Sequence, residues 1–207
     1  MRVCLCCIIV ICLLFSSFAF AETEVLFQKI PWLSNDSTTF KLLFESGYIR
    51  VERLDYLITK ENSSYICKDE TGLAFPDNQI EYQNVCYAMD IGNNVQGKVG
   101  GYPIDEIVPV FAYDGEYKLI AIRIELLLAD FNSLKDKLKK QYGDCETTTI
   151  EEDEVESLLW VGENNTCVLL FTSSGGLDYT LMYGRLDAVE ILSNCLTAPD
   201  PNDVAGL

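Results

Sequence analysis

Apolar residues change their spacing several times along this chain, and each change marks an element. The clearest case is a pair of β-rich runs, Ile107 to Tyr113 and Tyr117 to Leu126, flanking Asp114-Gly115. An Asp-Gly pair between such runs predicts a hairpin, because glycine enters a positive-φ turn without steric penalty. On the second arm, alternation puts Ile120, Ile122 and Ile124 on one face and Leu119, Ala121 and Arg123 on the other. Pro109 has no N–H to give a ladder, which predicts an edge strand or a bulge. Downstream the period lengthens. Phe131, Leu134, Leu138 and Tyr142 form a helical stripe between Asp130, an N-cap type, and Gly143, so a helix is expected over 131–142. Lys135, Lys137, Lys139 and Lys140 lie off that stripe and towards its C-terminal end, where they complement the helix dipole. An acidic loop follows. Three strand-like runs come next, 155–162, 166–173 and 177–183, with Asn164-Asn165 and Gly175-Gly176 as turns, and then a short helix at 186–194.

The N-terminal side is patterned less strongly. Val25 to Ile30 reads as a first strand that Pro31-Trp32 breaks. Ser34 to Ser37 is a cluster of N-cap residues before a helix expected at 36–46, with Gly47 as its C-terminal cap. Tyr48 to Ile58 fits strand or helix. Residues 59–80 read as a loop around Cys67, and Val85 to Ile91 as a strand. Asn93, Asn94, Gly97, Gly100 and Gly101 make a flexible connection. Hairpins rather than crossovers join the strands, so the fold class is α+β: an antiparallel sheet with helices packed on one face. The order allows two helix-then-meander halves, 24–128 and 129–195, within one domain spanning 22–195. Residues 196–207 read as a disordered tail.

The first residues change the picture of where the chain works. Arg2, the apolar run Val3 to Phe15, and then Ala19-Phe20-Ala21 have the form of a secretory signal peptide, residues 1–21, cleaved before Glu22. The apolar run is shorter than the span of about 20 residues a membrane helix needs. The mature chain is therefore expected to be soluble and secreted or extracytoplasmic, in a periplasm or at a cell surface. No cysteine follows the cut, so no lipid anchor is expected.

Composition then excludes chemistries. The 207 residues include no histidine, which removes Ser-His-Asp triads, Cys-His dyads and His-ligated zinc. The net charge of −17 argues against nucleic acid and anionic membranes as partners. Four of the nine cysteines lie in the signal, leaving Cys67, Cys86, Cys145, Cys167 and Cys195. Local spacing favours disulfides Cys67–Cys86 and Cys145–Cys167, each closing a loop worth roughly 3 kcal/mol on the chain-entropy model. Cys195 would then be a free thiol or the site of an intermolecular bond. The alternative is that all five are reduced and buried as small apolar groups.

Several clusters could carry chemistry. Glu151, Glu152, Asp153 and Glu154 could bind Ca²⁺ or a cationic partner, although they lack the spacing and central glycine of a calcium loop; a solvated loop explains them as well. No carboxylate pair stands out for glycoside hydrolysis. Ser133 is not followed by lysine at the S-x-x-K spacing, and Gly97 to Gly101 is not a phosphate loop but a turn. Trp32, Trp160, Tyr113, Tyr117, Tyr179 and Tyr183 could line a stacking face or fill the core. Asn35, Asn62 and Asn164 begin glycosylation sequons, which matter only in a eukaryotic host. No cofactor motif is present.

Three stretches carry a resemblance. They are Ile30-Pro31-Trp32 ahead of a helix, the hairpin VPVFAYDGEYKLIAIRIEL, and the helix DFNSLKDKLKKQYGD with its later Trp160 strand. Together they resemble uncharacterised exported bacterial proteins of helix-plus-meander architecture, an outline shared by the β-lactamase inhibitor protein and small envelope-assembly lipoproteins. The resemblance implies a protein-binding role and no catalytic residue. The expected function is an exported, non-enzymatic protein that binds another protein or a cell-envelope component. The alternatives are a secreted carboxylate-dependent hydrolase acting on glycans, or a calcium-dependent surface protein.

Overall fold

The computed structural model describes residues 24–50, 57–59, 84–150, 155–172 and 179–197. In chain order these form α1 (Asp36–Glu45), β1 (Leu57–Thr59), β2 (Cys86–Asp90), a 3₁₀ turn (Gly92–Asn94), β3 (Lys98–Val99), β4 (Tyr102–Tyr113), β5 (Tyr117–Leu126), α2 (Phe131–Tyr142), β6 (Glu146–Ile150), β7 (Val155–Gly162), β8 (Thr166–Thr172), β9 (Tyr179–Arg185) and α3 (Ala188–Thr197). The signal segment 1–21, Cys67, Asn62, the run Glu151 to Glu154 and residues 198–207 lie outside the described residues.

All the strands pair antiparallel, in the order β1-β2-β4-β5-β9-β8-β7-β6, with β3 folded back on the start of β4. The fold is α+β. α1 leads into a meander that reaches the centre of the sheet at β5, and α2 leads into a second that enters at the far edge, β6, and returns to the centre at β9. The meanders meet along β5 and β9, in register from Ala121 opposite Gly184 to Leu126 opposite Tyr179.

Local chemistry accounts for both early helices. Asn35 caps α1 by accepting the Thr38 N–H at 2.8 Å, and Asp130 caps α2 by accepting that of Ser133 at 2.7 Å. After α1, Gly47 takes φ +76; its N–H bonds to the Phe44 carbonyl and that of Tyr48 to the Leu43 carbonyl, a Schellman ending. The hairpin turns at Asp114, Gly115 and Glu116, with Tyr113 opposite Tyr117 and Gly115 at φ +104.

Four readings need correction. First, helices cover both faces of the sheet. Phe40 and Leu43 of α1 and Leu134, Leu138 and Tyr142 of α2 join one core cluster, with Ile122, Ile124, Trp160 and Leu170. Ala188, Leu192 and Cys195 of α3 join another, with Cys86, Val110, Ile120 and Met182. The unbroken apolar run of β8, buried from Thr166 to Phe171, is what a strand covered on both sides requires. Second, a register shift between Val110 and Phe111 leaves Ile120 without a partner on β4. Ile120 and Ala121 thus both face the α3 side, and Leu119 joins Ile122 and Ile124 on the other. Third, Val25 to Ile30 is not a strand. Gln28 and Lys29 have φ of 52° and 62°, and the Ile30 N–H closes a turn on the Phe27 carbonyl. Fourth, the residues after α2 form an edge strand, β6, instead of an acidic loop, and Leu196 and Thr197 belong to α3 and not to a tail.

The 24–35 segment is a strap across the α1–α2 face. Its Val25 N–H donates to Thr166 Oγ1 at 2.8 Å, and at its other end Leu33 and Ser34 bond to the backbone of Leu119. Val25, Phe27, Ile30 and Trp32 are buried beneath it, and Trp32 Nε1 donates to the Val25 carbonyl at 2.9 Å. Phe27 packs between Tyr48 and Tyr183, at centroid distances of 4.9 and 5.4 Å.

Among the described residues three two-residue turns have positive φ at both positions: Gln28-Lys29, Gly100-Gly101 and Asn164-Asn165. Glycine and asparagine accept that conformation cheaply, whereas each long side chain costs on the order of 1 kcal/mol. Lys29→Asn is therefore expected to raise stability by about 0.5–1 kcal/mol in urea unfolding. Burial pushes the Tyr183 phenol well above the usual phenol range, with Tyr142 and Tyr48 adding to the shift. The folded chain keeps this proton while the unfolded chain loses it near pH 10, so stability is full below that pH and falls above it. Melting temperatures between about pH 8 and 11 should show this fall, and Tyr183→Phe should flatten it.

Candidate functional site

Pro109 decides where the sheet opens. Without an N–H it cannot continue the ladder to β2, whose register with β4 ends at Ala88 opposite Val110. Beyond that point the end of β2 and the start of β4 border a cavity of about 530 Å³. Its sides are Met89 to Asn93 and Asp105 to Val108, and β5 supplies Arg123 and Glu125. The 3₁₀ turn on its rim is anchored by the Arg50 N–H on the Asn94 carbonyl, and the Gln96 N–H on the Tyr48 carbonyl holds the segment that follows.

Arg123 is only 4% exposed. Its Nη1 donates to Glu125 Oε1 at 2.7 Å and its Nη2 to Glu106 Oε2. The two carboxylates are 31% and 48% exposed, so their outer oxygens reach solvent while the guanidinium does not. Asp90 and Asp105 complete the lining, giving four carboxylates to one guanidinium. An arrangement of this sign attracts a cationic group and repels phosphates. The surplus of carboxylates is a local concentration of the chain's overall acidity.

None of these residues stood out in the sequence as a candidate. The available signal was Arg123 itself, a charge inside the apolar run of β5. Alternation gave its side of the strand, opposite Ile122 and Ile124; what the sequence did not show is that Glu106, Asp90 and Asp105 meet it there.

The candidates drawn from the sequence lie elsewhere and do not converge. Trp160 is buried, and its Nε1 donates to the Gly143 carbonyl at 3.0 Å, tying β7 to the end of α2. Trp32 and Tyr183 are core residues. Tyr113 and Tyr117 pack against each other at 4.9 Å and against Tyr87 beside the hairpin, while Tyr179 packs on Phe131 at 5.6 Å. Asn35 is spent on capping and Asn164 on a turn. Glu151, Glu152, Asp153 and Glu154 lie outside the described residues; among the described residues no group of three or more His, Cys, Asp or Glu side chains could hold a metal ion.

No disulfide joins Cys145 to Cys167. β7 lies between β6, which Cys145 precedes, and β8, which carries Cys167. Cys145 packs on the α1–α2 core and Cys167 in the α3 core, so the sheet separates them. Closeness in sequence was misleading because an intervening strand sets the distance. Cys67, the expected partner of Cys86, lies outside the described residues. Cys195 is a buried thiol in the α3 core, and burial is the main cause that pushes its pKa up. A raised pKa makes it a poor nucleophile at neutral pH. Among the described residues no helix is long and apolar enough to cross a membrane.

Removing Arg123 leaves two carboxylates that can hydrate, whereas removing both carboxylate charges leaves a cation away from water. Urea unfolding should therefore show Arg123→Met costing about 1 kcal/mol and the double variant Glu106→Gln/Glu125→Gln about 2–3 kcal/mol. The reverse order would show that the guanidinium is not kept from water. Compared with known proteins, the chain matches no family model, no curated sequence and no solved structure.

Proposed function

We propose that this is an exported, non-enzymatic binding protein whose Arg123 cavity receives a basic group of another protein or of a cell-envelope component. The observation that carries the reading is the cavity itself: Asp90, Asp105, Glu106 and Glu125 line it together with a single guanidinium that is already engaged by the two glutamates. Asp90 and Asp105 are exposed on the rim, where their charge can steer a basic partner and pair with it. The form of residues 1–21 supports export, and the net charge of −17 supports a basic partner over nucleic acid. The resemblance to exported bacterial helix-plus-meander proteins supports a bacterial envelope as the place where it works. On this reading the partner presents a lysine or arginine, and Arg123 fixes the orientation of the two glutamates that line the cavity.

The test is capture of partners from the extracytoplasmic fraction by the purified protein, compared with Asp90→Asn/Asp105→Asn. That variant removes two rim charges and leaves the Arg123 pairs intact. Wild-type protein should retain one stoichiometric partner at about 0.1 M salt and release it near 0.5 M, and the variant should bind it about ten-fold more weakly. A partner held equally by the variant would remove the cavity from the interface. Turnover of a substrate by the purified chain would overturn the non-enzymatic reading.

A further inference from the structure

A second cavity, of about 400 Å³, opens on the α1–α2 face between the strap, the β3–β4 turn and the end of α2. It shares no residue with the Arg123 cavity. Leu26, Phe27 and Val99 give it apolar walls, and Tyr142 and Tyr183, both buried, bring phenol groups to it. At the mouth Glu24 and Lys29 oppose each other in sign, so no net charge selects an ion.

The polar atoms inside follow a definite pattern. Gln141 Nε2 donates to the Tyr142 hydroxyl at 2.8 Å. Burial pushes the phenols of both Tyr142 and Tyr183 above the usual phenol range, so both keep their protons at neutral pH. A phenol oxygen that accepts the Gln141 bond has its own hydrogen left to give. The cavity therefore offers an O–H donor, positioned by Gln141, beside the apolar surface of Leu26, Phe27 and Val99.

The rim carries backbone strain. The Gln28-Lys29 turn lines this cavity in a conformation that the Asn164-Asn165 turn adopts cheaply. Backbone strain clusters at ligand sites, and here it lies at the edge of a cavity. Gly100, of the facing turn, also lines it.

We propose that this cavity binds a small, uncharged, mostly apolar molecule through an accepting oxygen, a carbonyl or ring ether, held by the Tyr142 hydroxyl. Cyclohexanone is the probe, with saturation-transfer NMR on the purified full chain as the readout. Saturation should pass to the ring protons with a dissociation constant in the range of about 1 mM, as for a ligand of few atoms. Tyr142→Phe, which removes the donor and keeps the ring, should weaken binding about five-fold. Val99→Trp, which fills the half-exposed wall, should abolish it. Cyclohexylammonium, which has the same ring and no acceptor, should show no transfer. The proposal is overturned if cyclohexanone shows no transfer up to about 10 mM. It is equally overturned if both variants, shown to be folded by near-ultraviolet circular dichroism, bind like wild type.

Discussion

The antiparallel seam between β5 and β9 is the constraint on which the rest depends. Each half of the chain ends its meander there, and the register from Ala121–Gly184 to Leu126–Tyr179 sets how the two halves face each other. Once the seam is fixed, Ile122, Ile124, Leu181 and Tyr183 form one continuous apolar surface. α1, α2 and the strap cover it. The strap bonds to β8 at one end and β5 at the other, so it spans the seam and ties the two meanders together from above.

Arg123 sits on this seam, opposite Met182. Its position shows how a defect in regular pairing creates a chemical site. Pro109 ends the β2 ladder close to the bulge at Ile120, Arg123 faces away from Ile122 and Ile124, and Glu125 follows two residues later on the same side of β5. The proline and the bulge would each cost stability in an uninterrupted sheet. Here they open the gap in which a guanidinium is enclosed by carboxylates that remain wet.

Much of the fold was legible because local chemistry decided it. The helix over 131–142 is bounded by Asp130 and Gly143, and the Asp114-Gly115 hairpin is specified by its turn residues; neither depends on distant contacts. What was hidden depends on tertiary context. Gln28 and Lys29 carry no sign that they adopt left-handed conformations, so Val25 to Ile30 looked like a strand. Thr147 to Ile150 are β-branched, but the acidic run beside them outweighed that signal and concealed β6. The helix on the second face was written in the apolar run of β8, which leaves no charged side for solvent. The cavity depends on where the β2 ladder stops and on Asp90 and Asp105 coming near Arg123 from other strands, which spacing along one run cannot show.

The strap also bears on the order in which the chain assembles. The hairpins at Asp114-Gly115 and Asn164-Asn165 join neighbouring strands through short turns, so their pairings close small loops. The seam joins segments separated by a helix and three strands, and the bond from Val25 to Thr166 spans 141 positions. Loop-closure entropy places such contacts late, after local pairings have formed the surface that rewards them. The topology thus implies two meanders that form independently, dock along β5 and β9, and are locked when the strap closes over them. A latch that closes last leaves the refolding rate nearly unchanged and holds the native state chiefly by slowing its escape.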